Sequence, residues 1–360
     1  MEMRQDPTAV LGALMTLASA GNQSSEASTR RGKNWKRNSV GVLISVACLG
    51  IIAWRIDPKE LAGAIANFQW RWLLFGLASL TLGYAVRIVR WSVLLCAAGA
   101  HVPPAKCAAP FLGSIALNNI LPMRLGDVVR ALVFPAAIGV GRIIAMGSLV
   151  MERLVDLMTL LACLTVGLIV TSSSQLPQWL VSASVGLAIV GSIVLVLVFL
   201  LSGWLSRWVG RWVHMAPFSR RERMLQGLRD LLEGFDAMSR LPVLFALFVL
   251  SVFVWVGEAG LFWSLLRGFG LDASAGAALF VMAVATLSTL LPSSPGYVGP
   301  FHLAAFTAVA MLGGTSAQAA SFAVLAHLGV WVPTTVAGAL AILFNPELFG
   351  RAKVTTDPKT

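Results

Sequence analysis

Repeated apolar runs, each long enough to cross a lipid bilayer, constrain this chain more than any other feature. A membrane-spanning helix needs about 20 predominantly apolar residues. Charged residues make up only 12% of the chain and apolar residues 57%, whereas soluble domains typically have about 25% and about 45–50%. The sequence therefore predicts an all-α, polytopic helical membrane protein with about six spanning helices, at 39–54, 72–89, 143–171, 179–201, 244–266 and 318–344.

The net charge of +11 has a topological explanation, because the basic residues cluster in short segments beside the apolar runs. Cytoplasmic loops of membrane proteins are enriched in Lys and Arg. We therefore expect no nucleic-acid partner, and instead an attraction to anionic lipid headgroups. Residues 1–38 are predicted to form a disordered basic cytoplasmic tail, 39–345 the transmembrane domain and 346–360 a second cytoplasmic tail. Both termini would then face the cytoplasm of a bacterial-type inner membrane.

Two further apolar regions are each broken by proline and glycine. The first break contains Pro122 and Gly126, and the second contains Pro292, Gly296 and Gly299. Proline removes a helical hydrogen bond and clashes with the preceding turn. Counting the spans against the charged loops leaves no room for either region to cross the membrane. We predict two re-entrant hairpins, the first inserted from the cytoplasmic side and the second from the outside.

The two breaks also resemble each other in sequence. Residues 119–126 align without gaps on residues 289–296, sharing a Leu-Pro pair, a glycine and an aliphatic position. Paired Pro/Gly-interrupted segments of opposite orientation are typical of inverted-repeat transporters, where they point to the substrate site. The pattern predicts an inverted-topology repeat with its functional site at the two breaks.

Charged residues inside membrane segments are costly and usually functional. The first hairpin carries three and the following span carries another three, namely Arg124, Asp127, Arg130, Glu152, Arg153 and Asp156. We expect Arg153 to pair with Asp156, three residues along the helix, which leaves Glu152 for Arg124 or Arg130. One interpretation is an ion-pair network that locks the hairpin to the span. The other is that an arginine keeps donors free for a phosphate.

Other polar residues in the spans have weaker interpretations. Arg87 and Arg90 are expected to snorkel to the inner interface as topology anchors, with lipid-phosphate contact as the alternative. Glu258 has no obvious local partner and is a candidate for a proton or headgroup contact. His302 and His327 are expected to be isolated packing residues.

Signatures of enzymes are absent from the sequence. There is no Gly-x-Ser-x-Gly, His-Glu-x-x-His or Walker motif. The cysteines lie in or beside apolar runs without metal-ligand spacing, so we expect free thiols at Cys48, Cys96, Cys107 and Cys163. The sequence predicts no catalytic residue, no metal and no cofactor.

Three segments resemble a known family, the lysylphosphatidylglycerol synthase transmembrane region, also described as flippase-like membrane proteins. Residues 117–130 resemble its Asn-x-x-x-Pro-x-Arg-x-Gly-Glu-x-x-Arg motif, residues 152–156 its Glu-Arg-x-x-Asp motif, and residues 291–299 its proline- and glycine-containing segment. Asp127 stands where the family usually has Glu, and His302 stands near a position where Glu is frequent. The bifunctional synthases carry a soluble aminoacyl-transfer domain after the membrane part; we expect none here, so lysyl transfer is not implied.

The resemblance implies lipid handling, namely movement of an anionic phospholipid or a polyprenyl- or hopanoid-type lipid between leaflets. We expect the headgroup to be bound by Arg124, Arg130, Asn119 and Asp127. Residues expected to orient the site or shape the hairpins are Glu152, Arg153, Asp156, Pro122, Gly126, Pro292, Gly296 and Gly299. The alternative is a membrane-embedded accessory subunit that scaffolds an envelope-lipid or glycosyl-transfer enzyme.

Overall fold

The computed structural model describes residues 43–52, 54, 58–171, scattered positions between 182 and 197, and residues 234–271, 273–291 and 293–350. All regular structure in these residues is helical, which confirms the predicted all-α class. The helices are α1 Leu43–Ile52, α2 Pro58–Ala66, α3 Trp70–Ala97, α4 Pro104–Ile120, α5 Leu125–Leu132, α6 Pro135–Ile138, α7 Arg142–Val170, α8 Leu241–Gly268, α9 Ala275–Ser288, α10 Pro300–Met311, α11 Ser316–Phe344 and α12 Glu347–Gly350.

Four of the described helices, α3, α7, α8 and α11, are long and apolar enough to cross a membrane. They coincide with four of the predicted spans and confirm a multi-pass membrane protein. The predicted span at 39–54 is represented by α1, and the one at 179–201 lies largely outside the described residues. The count of six spans therefore stays a prediction.

Helices α3 and α8 run antiparallel and in close contact. The Gln69 backbone N–H donates to the Gly268 carbonyl at one end (3.0 Å). Further along, a Cβ atom on Gly257 would lie 2.6 Å from Gly83 Cα, and the Ser79 hydroxyl donates to the Gly257 carbonyl (2.9 Å). Small residues allow this backbone approach, as in other membrane helix pairs. We call this end of the bundle the 69/268 end.

The opposite end, which we call the 134/349 end, is marked by an edge-to-face contact between Phe134 and Phe349 (5.3 Å between ring centroids). Phe349 belongs to α12, and its neighbour Leu348 is buried. Ordered packing therefore continues beyond residue 345, where we predicted the transmembrane domain to end. The predicted tail at 1–38, and residues 351–360 of the predicted tail at 346–360, lie outside the described residues.

The first broken region forms a hairpin that begins at the 134/349 end. Helix α4 runs inward, a single 3₁₀ turn follows at Pro122–Arg124, and α5 folds back against α4. Gly126 makes this contact possible, because a Cβ atom there would overlap the Ser114 carbonyl oxygen of α4. Met123 and Arg124 adopt left-handed backbone conformations (φ 62° and 55°).

The second broken region forms a similar hairpin that begins at the 69/268 end. Helix α9 starts with a hydrogen bond from the Ala277 N–H to the Ser274 hydroxyl (3.1 Å) and α10 packs back against α9. Between them lies a 3₁₀ turn at Pro295–Tyr297. Gly296 and Gly299 have positive φ (74° and 101°), which glycine adopts without a Cβ clash. Pro292, predicted to shape this break, lies outside the described residues.

The two hairpins meet at their turns. Arg124 of the first turn bonds to Thr289 beside the second, and a Cβ on Gly296 would lie 3.3 Å from the Asn119 carbonyl oxygen. Two hairpins that begin at opposite ends of the bundle and touch at their tips agree with the predicted inverted arrangement. Which end faces the cytoplasm stays a prediction.

Candidate functional site

A cavity of about 570 Å³ lies where the two turns meet. Its lining comes from α3, α4, α5, α7, α8, α9, α10, α11 and both turns. All six charged residues predicted for the first hairpin and the following span border this cavity. The charged lining residues are Arg87, Arg124, Asp127, Arg130, Glu152, Arg153, Asp156 and Glu258.

Asp127 and Arg153 join α5 to α7. Arg153 Nη2 donates to both carboxylate oxygens of Asp127, at 3.0 and 2.8 Å. Asn118 on α4 supports the same carboxylate through its amide nitrogen (2.9 Å) and accepts from the Asp127 backbone N–H (3.0 Å). Arg153 lies 3.8 Å from Asp156. The predicted pair with Asp156 is therefore present, but Asp127 is the closer carboxylate because the folded-back hairpin presents it to Arg153.

Arg130 and Glu152 form a second bridge between α5 and α7. Arg130 Nη2 donates to Glu152 Oε1 at 3.1 Å, and only 3% of each side chain is exposed. The Arg130 guanidinium lies over Trp91 (5.2 Å) and Phe111 (4.8 Å), a favourable cation–π arrangement. Of the two partners left open for Glu152, the structure selects Arg130.

Arg90 is a buried ion-pair residue, so the snorkelling prediction was wrong. Its side chain is 1% exposed, Nη1 lies 2.7 Å from Asp156 Oδ1, and the same nitrogen donates to the Ser251 hydroxyl (2.7 Å). Helix α3 continues to Ala97, beyond the predicted end at residue 89. Arg90 therefore lies between helices and does not reach the interface.

Arg87 also departs from the snorkelling prediction. Its Nη2 donates to Glu258 Oε2 on α8 at 2.6 Å, and the guanidinium lies 4.7 Å from the Trp255 ring. Thr286 of the second hairpin donates to the other Glu258 oxygen (3.2 Å). Glu258 thus has a partner 171 positions away in the sequence. The sequence offered one indication of this pair, namely that two opposite charges lie in separate spans.

Arg124 differs from the other arginines of the site. In the part of the chain that the structure describes, it makes no ion pair. Its Nη2 donates to the carbonyl and hydroxyl oxygens of Thr289, both at 3.1 Å, and its guanidinium lies 5.4 Å from the Tyr297 ring. These partners are neutral, so the positive charge of Arg124 faces the cavity without a counter-charge.

Asn119, predicted to contact the headgroup, holds α4 against α11. Its amide nitrogen donates to the hydroxyls of Thr334 (3.0 Å) and Thr335 (2.9 Å). Its backbone carbonyl accepts from the Trp331 indole at 3.4 Å. Because both amide hydrogens are used in packing, only the side-chain oxygen is left for a ligand.

His302 and His327, predicted to be isolated, lie together beside the second turn. Their ring centroids are 4.6 Å apart. His327 Nε2 is 2.7 Å from the Gly296 carbonyl oxygen, and His327 borders the cavity. Sequence reasoning missed this pair, because it depends on which faces of α10 and α11 pack together.

The chain was compared with known protein families, curated proteins and solved structures. Residues 38–338 match the family described as the lysylphosphatidylglycerol synthase TM region. The chain belongs to this family. Membership makes it a membrane protein related to lipid metabolism or transport. No curated protein and no solved structure shows a significant match to the chain.

Proposed function

We propose that this member of the family moves an anionic phospholipid between the leaflets of a bacterial-type inner membrane. The headgroup would occupy the cavity between the two turns, while the acyl chains stay in the bilayer. The observation that carries the proposal is Arg124, which borders the cavity with its charge uncompensated by any carboxylate in the described residues.

The charge balance of the site supports an anionic ligand. Four arginines pair with four carboxylates, and Arg124 is the fifth arginine: the closest pairs are Arg87–Glu258, Arg90–Asp156, Arg130–Glu152 and Arg153–Asp127. Among the described residues, the network therefore carries one positive charge in excess. Arg124 is partly buried at the cavity wall, where a bound anion would supply the counter-charge that the described residues do not. The planar guanidinium suits phosphate oxygens.

A single excess charge favours one class of lipid among those that the resemblance implied. A phosphodiester headgroup carries one negative charge and would neutralise the site. A polyprenyl diphosphate carries several and would leave negative charge buried. We therefore propose a phospholipid with a singly charged phosphodiester as the substrate.

An apolar path for acyl chains accompanies the charged cavity. Val150 and Leu157 on α7 and Leu290 beside the second turn line the cavity, and their side chains are also exposed on the outside of the bundle. A lipid could keep its chains among these residues with its headgroup at Arg124. This continuity favours transport over the accessory-subunit alternative, which requires no cavity.

The remaining predicted site residues receive other roles in the proposal. Arg130 and Asp127 are occupied in pairs with α7, so we assign them to positioning the first turn and not to direct headgroup contact. No bond is made or broken in the proposed activity. The partners are membrane lipids, and both termini are placed in the cytoplasm.

Transport in liposomes tests the proposal. The purified protein is reconstituted with fluorescent phosphatidylglycerol or phosphatidylcholine, and the lipid that reaches the inner leaflet is measured by quenching with an impermeant reductant. Arg124→Ala should slow phosphatidylglycerol movement by about 10- to 100-fold, the loss expected for one charged hydrogen-bonded contact. The transport rate of Arg124→Lys should lie between those of wild type and Arg124→Ala. Lysine keeps the positive charge but lacks the planar guanidinium that can bind two phosphate oxygens.

Arg71→Ala is the matched control, because Arg71 is exposed and bonds to Gln69 at the start of α3. It should transport at the wild-type rate. If Arg124→Ala moved phosphatidylglycerol at the wild-type rate, Arg124 would not be the residue that binds the headgroup. Equal movement of both lipids by the wild-type protein would remove the preference for an anionic headgroup.

A further inference from the structure

The histidine pair beside the second turn has no role in the network described so far. His302 lies in the first turn of α10, and His327 lies in the middle of α11. His302 is buried, while His327 is partly exposed and borders the cavity. The pair therefore combines a buried imidazole with one that can exchange protons through the cavity.

The backbone of the second turn indicates which ring nitrogens carry hydrogen. The Gly296 carbonyl can only accept, so His327 Nε2, at 2.7 Å, must donate. The Gly299 N–H can only donate, and it points at His302 Nδ1 over a long 3.5 Å contact. Each neutral ring thus carries its hydrogen on Nε2, and His327 Nδ1 is the basic nitrogen with no backbone donor facing it.

Among the residues that the structure describes, no carboxylate is hydrogen-bonded to either histidine; the hydrogen-bond partners of the rings are backbone groups of the second turn. Helices α9, α10 and α11 carry no titratable side chain other than these two histidines. The nearest titratable residue on the second turn is Tyr297, which lies under Arg124 of the first turn. On α8, the Glu258 carboxylate is occupied by Arg87 and Thr286. The remaining titratable residues on the packed helices are Arg267 on α8, Lys106 and Cys107 on α4, Cys48 on α1, Lys59 and Glu60 on α2, and Arg71, Tyr84, Arg87, Arg90 and Cys96 on α3.

We propose that the His302–His327 pair is a proton-binding site that takes up one proton, at His327 Nδ1. Protonation there keeps the bond from Nε2 to Gly296 and makes it charge-assisted, hence stronger. Protonation of His302 Nδ1 would instead set two donors against each other at Gly299. The proximity of the rings, 4.6 Å between centroids, opposes a second proton.

The bound proton would act on the second turn and on the cavity. It fastens the turn to α11 through Gly296, and it adds a positive charge at the cavity wall. If the cavity binds an anionic headgroup, which rests on the proposed function, then headgroup and proton each favour binding of the other, since such coupling is reciprocal. Lipid loading would then be coupled to proton uptake.

Nuclear magnetic resonance of the full chain tests the proton site without measuring transport. Protein labelled with ¹⁵N-histidine is placed in phosphatidylcholine nanodiscs, and the ring nitrogens are followed from about pH 8 to about pH 4, on both sides of the ordinary titration of imidazole. His302→Gln and His327→Gln assign the signals of the pair. His101, exposed in the loop between α3 and α4, provides an internal reference signal.

We expect one proton to be taken up by the pair, with the change at Nδ1 of His327. His302→Gln should keep this uptake and His327→Gln should abolish it. The wild-type protein alone decides the main question, so misfolding of a variant leaves the test intact. A pair that stays neutral across the range, or two histidines that each take up a proton independently of the other, would overturn the proposal.

Nanodiscs of phosphatidylglycerol separate this inference from the proposed function. The pair should then take up its proton at a pH at least about one unit higher, which is a tenfold stronger affinity. The shift is read relative to His101, which reports the effect of the charged lipid surface. If the pH of proton uptake by the pair shifts no more than the reference signal of His101 does, the result would count against anion binding in the cavity. The proton site itself would still be supported.

Discussion

The two hairpins share a broken-helix backbone, yet different interactions hold them in place. The first is fixed to α7 by the ion pairs Asp127–Arg153 and Arg130–Glu152. The second has no Asp, Glu, Lys or Arg between residues 275 and 311. Its contacts with charged groups include hydrogen bonds of Thr289 with Arg124 and of Thr286 with Glu258. Its turn is held by neutral hydrogen bonds, including those of Ser45 on α1, whose hydroxyl donates to the Val298 carbonyl (2.7 Å) and accepts from the Ser294 N–H (3.0 Å).

This difference indicates that the first hairpin is held more firmly than the second. Separating one partner from a buried ion pair costs about 3–5 kcal/mol, whereas a neutral hydrogen bond contributes about 1 kcal/mol. The first hairpin is therefore a fixed platform for Arg124. The second is the hairpin that we expect to move when the cavity opens. Three experiments test this comparison, in order of decreasing effect on the protein.

The largest effect is expected from breaking the buried pair of the first hairpin. Arg130→Met keeps the side-chain volume and leaves Glu152 buried without a cation, which should lower the free energy of unfolding by about 3–5 kcal/mol. Denaturation in detergent, followed by circular dichroism, measures the loss. The double variant Arg130→Met/Glu152→Met should regain most of it. A single variant within about 1 kcal/mol of wild type would show that the first hairpin is not fixed by charge.

A smaller effect is expected at the second hairpin. Ser45→Ala removes the two hydrogen bonds to the turn and should cost about 1–2 kcal/mol. Hydrogen exchange of the backbone amides at 293–299 should become faster, while that of the first turn stays unchanged. Thr81→Ala is the control, because its exposed hydroxyl bonds only within α3, to the Leu77 carbonyl. If Ser45→Ala accelerated hydrogen exchange equally at both turns, the second hairpin would not be the more weakly held of the two.

The smallest perturbation tests the opposite orientation of the hairpins. In a background without the four native cysteines, Met123→Cys and Ser294→Cys should be labelled by an impermeant thiol reagent from the cytoplasmic side and from the outside, respectively. Ala100→Cys, in the loop between α3 and α4 that we predict to be cytoplasmic, is the reference for that side. Labelling of both turns from one side would exclude an inverted repeat. Neither substitution should change stability measurably.

Much of the fold could be predicted because it depends on local pattern. Hydropathy identified α3, α7, α8 and α11, since a bilayer requires about 20 apolar residues in succession. Proline and glycine identified both breaks, and charges in the loops placed the hairpins at opposite ends. Each of these signals lies within a short stretch of sequence.

The partners of the charged residues could not be predicted in the same way. Arg90 meets Asp156, and Arg87 meets Glu258, only after three helices have packed. The spacing rule that paired Arg153 with Asp156 holds for an isolated helix, but the first hairpin brings Asp127 closer. Which faces meet depends on contacts such as Gly83 against Gly257, and a single sequence does not record such contacts.

Three non-glycine residues of the two turns adopt left-handed backbone conformations, which lower stability, and Arg124 among them is the residue that the proposed activity needs. Glycine would occupy such positions at little cost, whereas Met123, Arg124 and Tyr297 (φ 62°, 55° and 60°) each lose about 1–2 kcal/mol there. Strain of this kind persists where the surroundings require the side chain, and here the guanidinium of Arg124 lies over the ring of Tyr297. Engineering the turns for thermal stability would favour glycine at position 124, where the proposed transport activity needs arginine, and at position 297, where the tyrosine ring packs against that arginine.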